Sequence, residues 1–351
     1  MLSGAEGLTR QKAARLVIDL ANTASAEGFI EVNHSHVSGV SVITGGHGLR
    51  RFLADLAGEG SVAIPTTLNS AGCDKRKMEE MDIDYPDFLQ QQFEIITAYE
   101  QLEIESTLSC TPYDRGVEGE SGVASWAESN AVAFSNSWTD LVTNRESGLS
   151  ALATALTGYA PKWGLHLEEN RVPNIVVDVE CDLSSLADWS ILGDWIGKQV
   201  RPGWDVPYGP MPLIRGLPSY ISFASKKALT AAAANYGCAM LWAEGHTKDP
   251  TLTGKEESLV FTEQDLAARY EDLAPKGQVD LVVIGCPQAS LEEIRITASA
   301  VRSHSEMGQL IPDERLWVFT SRHNYLLAEA DGSIGILEEA GAVILQDTCP
   351  E

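Results

Sequence analysis

Short runs rich in β-branched residues, each followed by a longer amphipathic stretch, recur along most of this chain, and that alternation constrains its fold more than any other feature. A strand paired in parallel with the next must be reached by a crossover, normally a helix, so the pattern predicts an α/β protein. The expected fold class is α/β, with largely parallel sheets flanked by helices in two or more lobes. The run GVSVIT (39–44) reads as a strand, followed by a Gly-Gly turn and the helix HGLRRFLADLAG. SVAIP reads as a second strand leading into the polar loop TTLNSAGCD. A helix over 85–102 leads to the strand IESTLSC, the turn TPYD, a Gly- and Glu-containing loop and the helical segment WAESNAVAFSNS. Farther on come an Ala-rich buried helix, the strand VDLVVIGCPQAS with the helix LEEIRITASAVRS, the strand LWVFT with a helix over 324–329, and the strand AGAVILQDTCPE. The Pro- and Gly-rich stretch RPGWDVPYGPMPLIRGLP (201–218) reads as the connection between lobes. The expected division is 1–205, an N-terminal α/β lobe with one of the candidate cysteines, and 215–351, a C-terminal α/β lobe with two.

Composition excludes several function classes. With 351 residues, 44% of them hydrophobic, the chain can bury a full core. Lys and Arg total 25 against 50 Asp and Glu, a formal charge of -25 that repels polyanions and argues against nucleic acid or an anionic membrane as partner. The uncharged stretch 229–243 is shorter than the ~20 apolar residues a membrane span needs. Glu6, Arg10, Lys12 and Arg15 interrupt any signal-peptide core, so the expected location is cytoplasmic and the six cysteines are expected as thiols or ligands.

Cys110, Cys286 and Cys349 share one context. Each ends an apolar β-type run and is followed by Thr-Pro or Pro, which places all three at expected strand C-termini. In parallel sheets those ends lie along one edge, where distant residues converge on a ligand. A single cysteine in such a place is ordinarily a small core hydrophobe. Three in matching contexts point instead to thiolates that bind iron and sulfide. No CxxC spacing is present, which disfavours a zinc ribbon or thioredoxin-like centre. Cys181, inside the strand-like NIVVDVEC, and Cys238, inside the Ala-rich helix, are assigned to packing, and Cys73 beside Asp74 fits either role. Three cysteines on a cubane cluster leave one iron without a protein ligand, a Lewis acid suited to dehydration.

The stretches HVSGVSVIT, IPTTLNSAGCD, SCTPY, WAESNAVAFSNS, TNRESGLSALATALTG, GLHLEENR, IGCPQAS and DTC together resemble the aconitase X family, typified by archaeal phosphomevalonate dehydratase. The resemblance implies an aconitase-like architecture and an iron–sulfur cluster, 4Fe-4S favoured, on Cys110, Cys286 and Cys349. It implies reversible loss of water from a small hydroxy acid, with mevalonate 5-phosphate as first choice and cis-3-hydroxy-L-proline as alternative. Motif by motif, it makes Gly39, Val40, Ser41, Asn69 and Ser70 substrate contacts, and Glu128 and Ser129 catalytic. It also implies a small swivelling subunit or domain that carries a catalytic serine. Ser70 stands where the family usually has Pro, and Ser147, Gly148, Leu149 and Ser150 stand where it usually has Gly-Gly-Pro-Ser. Family large subunits continue past the DTC cysteine into an Asn-Ser-Gly-Lys segment, so one basic contact is expected to be missing. That absence motivates a reading of another class, a non-catalytic iron–sulfur binding protein.

Other groups have competing readings. Arg145, after Asn144 in TNRE, can clamp a carboxylate or phosphate and is taken as a substrate contact, although most arginines are solvated surface charges. Gly45, Gly46 and Gly48 precede a helix, where backbone N–H groups hold anions, but a tight turn accounts for them equally simply. Glu128 in the first turn of a helix is also ordinary dipole complementarity. His166 reads as structural. No Walker motif, nucleophile elbow or HExxH occurs.

Overall fold

The structure, a computed structural model, describes residues 1–57, 60–83, 86–116, 121–199, 208–307 and 315–350. The first domain contains α1 (Leu8–Thr23), β1 (Phe29–Glu31), β2 (His34–Val37), α2 (Val42–Ala57), β3 (Thr66–Leu68), α3 (Pro86–Gln101), β4 (Ser121–Trp126), α4 (Ser129–Trp138), β5 (Asp140–Val142), α5 (Gly148–Thr157) and β6 (Tyr159–Pro161). Its main sheet has the order β3-β2-β4-β5 with every pair parallel, while β1 and β6 pair antiparallel. Val37, Leu53, Leu68, Ile95, Leu102, Leu152 and Leu156 form its core.

The second domain contains β7 (Ile175–Val179), α6 (Leu186–Lys198), β8 (Pro212–Arg215), α7 (Phe223–Ala234), β9 (Trp242–Ala243), β10 (Glu257–Phe261) and α8 (Glu263–Leu273). Its parallel sheet runs β10-β7-β8-β9 over a core of Ile175, Val177, Leu192, Ile214, Leu229 and Phe261. The third domain contains β11 (Val282–Ala289), α9 (Leu291–Glu306), β12 (Leu316–Thr320), α10 (Arg322–Ala330), α11 (Ser333–Glu339) and β13 (Val343–Gln346). Its three parallel strands run β11-β12-β13. Helix starts follow local chemistry: Ser147 with Ser150, Ser185 with Asp188, Thr262 with Asp265 and Ser290 with Glu293 each close a reciprocal capping box.

The α/β class and the parallel sheets match the sequence expectation. Several strand positions do not. GVSVIT is a loop and the first turn of α2, and the strand is the preceding HSHV, whose Ser35 and His36 are fully buried. α2 breaks at Gly46, which adopts φ 53°, so the expected glycine turn lies inside the helix instead of before it. SVAIP is irregular and the strand is Thr66–Leu68. IESTLSC makes one bridge, Thr67 with Glu105, and Leu108 at φ 47° cannot continue an extended run. Cys110 therefore follows a loop, Cys286 lies within β11, and Cys349 lies three residues beyond β13. Cys181 lies beyond β7 and Cys238 beyond α7, where both expectations had placed them inside. Residues 201–207 of the expected connection, and 117–120 of the loop after TPYD, fall outside the described residues. Among the described residues no helix is long and apolar enough to cross a membrane.

Candidate active site

The strand order of the first sheet decides which loops meet. β3, β2 and β4 are adjacent and parallel, so the segments leaving their carboxyl ends (38–41, 69–70 and 127–129) lie side by side at one edge. Asn69 Nδ2 donates to Glu128 Oε2 at 2.8 Å, and Asn69 Oδ1 accepts the Ser70 N–H at 2.9 Å. Glu128 is the N-cap of α4, and its Oε1 accepts from Asn130 Nδ2 at 2.8 Å and from the Asn130 N–H. Asn130 Nδ2 also donates to the Cys110 carbonyl at 3.1 Å, while Tyr113 Oη donates to Asn130 Oδ1 at 2.7 Å. One hydrogen-bonded run thus connects Asn69, through Glu128 and Asn130, to the backbone of Cys110.

The loop 39–42 is held from below. Buried Gln92 on α3 donates to the Val40 carbonyl at 2.9 Å and accepts the Val42 and Gly72 N–H groups at 3.0 and 3.1 Å. Gly39 adopts φ 82°, a conformation that favours glycine, and Ser41 Oγ accepts the Ile43 N–H at 3.1 Å. A Cβ at Gly148 would collide with the Ser38 carbonyl oxygen, so the start of α5 packs directly against this loop.

The carboxyl edge of the third sheet docks on that of the first. Ala71 bridges Thr348: the Ala71 N–H donates to the Asp347 carbonyl at 2.8 Å and Thr348 Oγ1 donates to the Ala71 carbonyl at 3.1 Å. Buried Asp74 accepts Arg76 Nε at 2.8 Å and the Gln346 N–H at 2.8 Å, and Asp347 accepts from Arg76 and Arg322. Cys73, beside this network, lines a cavity of about 220 Å³ with Lys75, Gln92 and Arg322, and burial followed by the Asp74 charge pushes its thiol up to about 11.

The cysteine segments meet around Gln288. The Gln288 N–H donates to Cys110 Sγ at 3.2 Å, its Oε1 accepts the Cys110 N–H at 3.2 Å, and its Nε2 donates to the carbonyls of Leu108 at 3.3 Å and Thr348 at 2.9 Å. Burial raises the Cys110 thiol well above its ordinary range, and the Glu128 and Cys349 charges push the same way. Cys286 is exposed and Cys349 half-buried. Behind this junction Lys227 of α7, 1% exposed, reaches the carbonyls of Pro287 at 3.3 Å and Gln288 at 2.6 Å and pairs with Glu293 Oε2 at 2.6 Å.

Arg145 follows a different course. Its backbone bridges Trp126, but its side chain lines a separate cavity of about 260 Å³ with Trp163, Tyr208, Gly209 and Gly237. His166 is structural as expected, with Nδ1 3.0 Å from the Pro161 carbonyl.

Three family models match the chain in succession: the aconitase X first domain over residues 1–169, the second over 173–271 and the third over 279–351. The chain belongs to the aconitase X family. It is 35% identical to the phosphomevalonate dehydratase large subunit of Methanothermobacter thermautotrophicus, over 99% of this chain and 85% of that one. It is 30% identical to the cis-3-hydroxy-L-proline dehydratase of Pseudomonas aeruginosa, over 99% of this chain and 60% of that one. The holo-form crystal structure of Thermococcus kodakaraensis aconitase X superposes with a TM-score of 0.86 at 32% identity, covering 99% of this chain and 86% of that one.

Aconitase X membership implies an iron–sulfur cluster, and the donor chemistry here fits one. Three thiols, the donor type an iron–sulfur cluster takes, sit on segments that touch through Gln288. Among the described residues, no three His, Cys, Asp or Glu side chains are gathered into a metal-binding group. Gln92, Asn130, Lys227 and Gln288 escaped the sequence reasoning. Gln288, inside GCPQAS two residues from Cys286, and Asn130, inside WAESNAVAFSNS next to Ser129, were the two with a positional signal.

Proposed function

We propose that this chain is the large subunit of an iron–sulfur hydro-lyase that reversibly dehydrates mevalonate 5-phosphate, working with a small swivelling subunit. The observation that carries the reading is the hydrogen-bonded run from Asn69 through Glu128 and Asn130 to Cys110, which couples the loops at the carboxyl edge of the first sheet to a cysteine segment. The names of relatives at 33–35% identity support the substrate.

Cys110, Cys286 and Cys349 would hold the cluster, of the four-iron type, whose open iron supplies Lewis-acid assistance to a departing hydroxyl. The chain's own residues bind and orient. The backbone of Gly39 and Val40, the Ser41 hydroxyl and the Asn69 and Ser70 polar groups contact the substrate, on a loop that Gln92 keeps in place. Glu128 is locked by two bonds from Asn130, so it fixes the Asn69 amide and presents its carboxylate beside Ser129 without reorganising. The catalytic serine that removes the proton belongs to the partner.

The test is reconstitution. Anaerobic loading of the chain should give a brown protein with iron and sulfide, and Cys110→Ser, Cys286→Ser or Cys349→Ser should each lose most of it. Full iron in all three variants refutes the ligand set. Turnover of mevalonate 5-phosphate should require the small subunit, since a general base contributes about a hundred- to ten-thousand-fold. Brisk turnover by the chain alone refutes that division of labour. The 30% identity to a hydroxyproline dehydratase supports the second substrate reading. Calorimetric titration of mevalonate 5-phosphate and of cis-3-hydroxy-L-proline against the loaded protein separates the two. Tight hydroxyproline binding without phosphomevalonate binding reverses the choice.

A further inference from the structure

We infer that Gln288 is a positioning residue for the cysteine site, setting the separation of the Cys110, Cys286 and Cys349 segments before any cluster is present. The inference rests on the cluster reading above and adds a residue that acts through the ligands without being one.

Gln288 is fully buried, and a buried side-chain amide must find partners for both its donors and its acceptor. Here each partner lies on a cysteine segment. Its Oε1 takes the Cys110 N–H, one Nε2 bond goes to Leu108 two residues before Cys110, and the other goes to Thr348 beside Cys349. The third segment is its own, two residues after Cys286, and its backbone N–H points at Cys110 Sγ. No aliphatic side chain can make these links, and Glu would set a carboxylate oxygen against two carbonyls.

The segment is also held from the opposite side. Lys227, from the second domain, donates to the Pro287 and Gln288 carbonyls, while Glu293 on α9 anchors its charge. The Gln288 backbone is therefore immobilised on one face by the second domain, and its side chain reports that position to the first domain and to the 347–349 segment. Three protein segments, two of them 178 positions apart and the third 60 positions beyond, are brought into register by one amide. The segments that carry the three cysteines are thus held together by a side chain that is not itself a ligand, so cluster retention, more than fold stability, is what this side chain governs.

The experiment uses the full chain, loaded anaerobically, with three variants. Gln288→Leu removes all side-chain links, and Gln288→Glu keeps the shape and the acceptor for Cys110 but loses both donations. Asn136→Leu is the matched control: Asn136 is also buried, donates to the Thr143 and Ala239 carbonyls and accepts the Thr143 N–H, away from the cysteines. Iron release to a chelator is followed by visible absorbance, with visible circular dichroism of the loaded protein and thermal unfolding of the apoprotein alongside. Both Gln288 variants should release iron at least tenfold faster than wild type and alter the visible dichroism. Asn136→Leu should lower the apoprotein Tm comparably yet release iron at the wild-type rate. Equal acceleration in the control overturns the inference in favour of general destabilisation, and wild-type release from Gln288→Glu overturns it outright. Wild-type protein that takes up no iron and sulfide removes the cluster reading itself, a different result from unchanged release by the variants.

Discussion

Replacing Lys227 by Met should cost more stability than almost any other single change in the second domain. The side chain is 1% exposed, and its ammonium serves Glu293 and two carbonyls at once. Met matches the length of the stem but removes the donor that all three acceptors share. Removing one partner of a buried ion pair typically costs about 3–5 kcal/mol. Glu293 keeps its capping bonds from the Ser290 N–H at 2.8 Å and Ser290 Oγ at 2.6 Å, so its charge is not stranded. The lower end, about 3 kcal/mol, is therefore expected. If the roughly 180 residues of the second and third domains unfold together, this shifts Tm by roughly 6–12 °C. Chemical denaturation of apoprotein measures the free energy, and a double-mutant cycle with Glu293→Gln should return a coupling of about 2 kcal/mol. A Lys227→Met cost below about 1 kcal/mol, or strictly additive single changes, would falsify the argument that the pair holds the Cys286 segment.

Two further outcomes follow from the first domain. Burial lowers His36 to about 3 and His34 to about 4, so the native state stays unprotonated where the unfolded chain takes up protons. Their contribution is complete above pH 6.5 and is lost as pH falls through 4 toward 3, at about 1.4 kcal/mol per pH unit for each histidine; His36→Gln should remove about half of their joint slope in urea titrations near pH 5, and an unchanged slope refutes the assignment. Gly148→Ala drives a methyl into the Ser38 carbonyl and should cost about 1–3 kcal/mol while weakening substrate binding at 39–41. Its iron content should equal wild type, and a normal substrate affinity would show that the loop does not depend on this contact.

Helices and sheet type were legible in the sequence because periodicity reports burial on one face. The 85–102 expectation lies close to Pro86–Gln101, and Ser290 with Glu293 marks the start of α9 in the sequence itself. Short strands were not. HSHV carries two fully buried polar residues that hydropathy marks as surface, whereas GVSVIT has the strand former's composition but follows the sheet edge into a helix. The left-handed backbone at Leu108 ended another expected strand without any glycine to announce it. At the site, motif resemblance named residues on the loops 38–41, 69–70 and 127–129, which the sheet order brings side by side. It passed over Gln92 and Lys227 because a buried Gln or Lys has the same letter as a solvated one, and only the fold reveals which partners surround it.

The junction around Gln288 also has a history within each molecule's synthesis. Cys110 and Gln288 are 178 positions apart, an interval of roughly 9–36 s at ordinary translation rates. Throughout it the first domain can fold, yet the Cys110 N–H and the Leu108 carbonyl lack the side chain that later occupies them. Metal delivered during that window would meet one of the three proposed ligand thiols. On the proposed ligand set, iron loading waits until the third domain has docked.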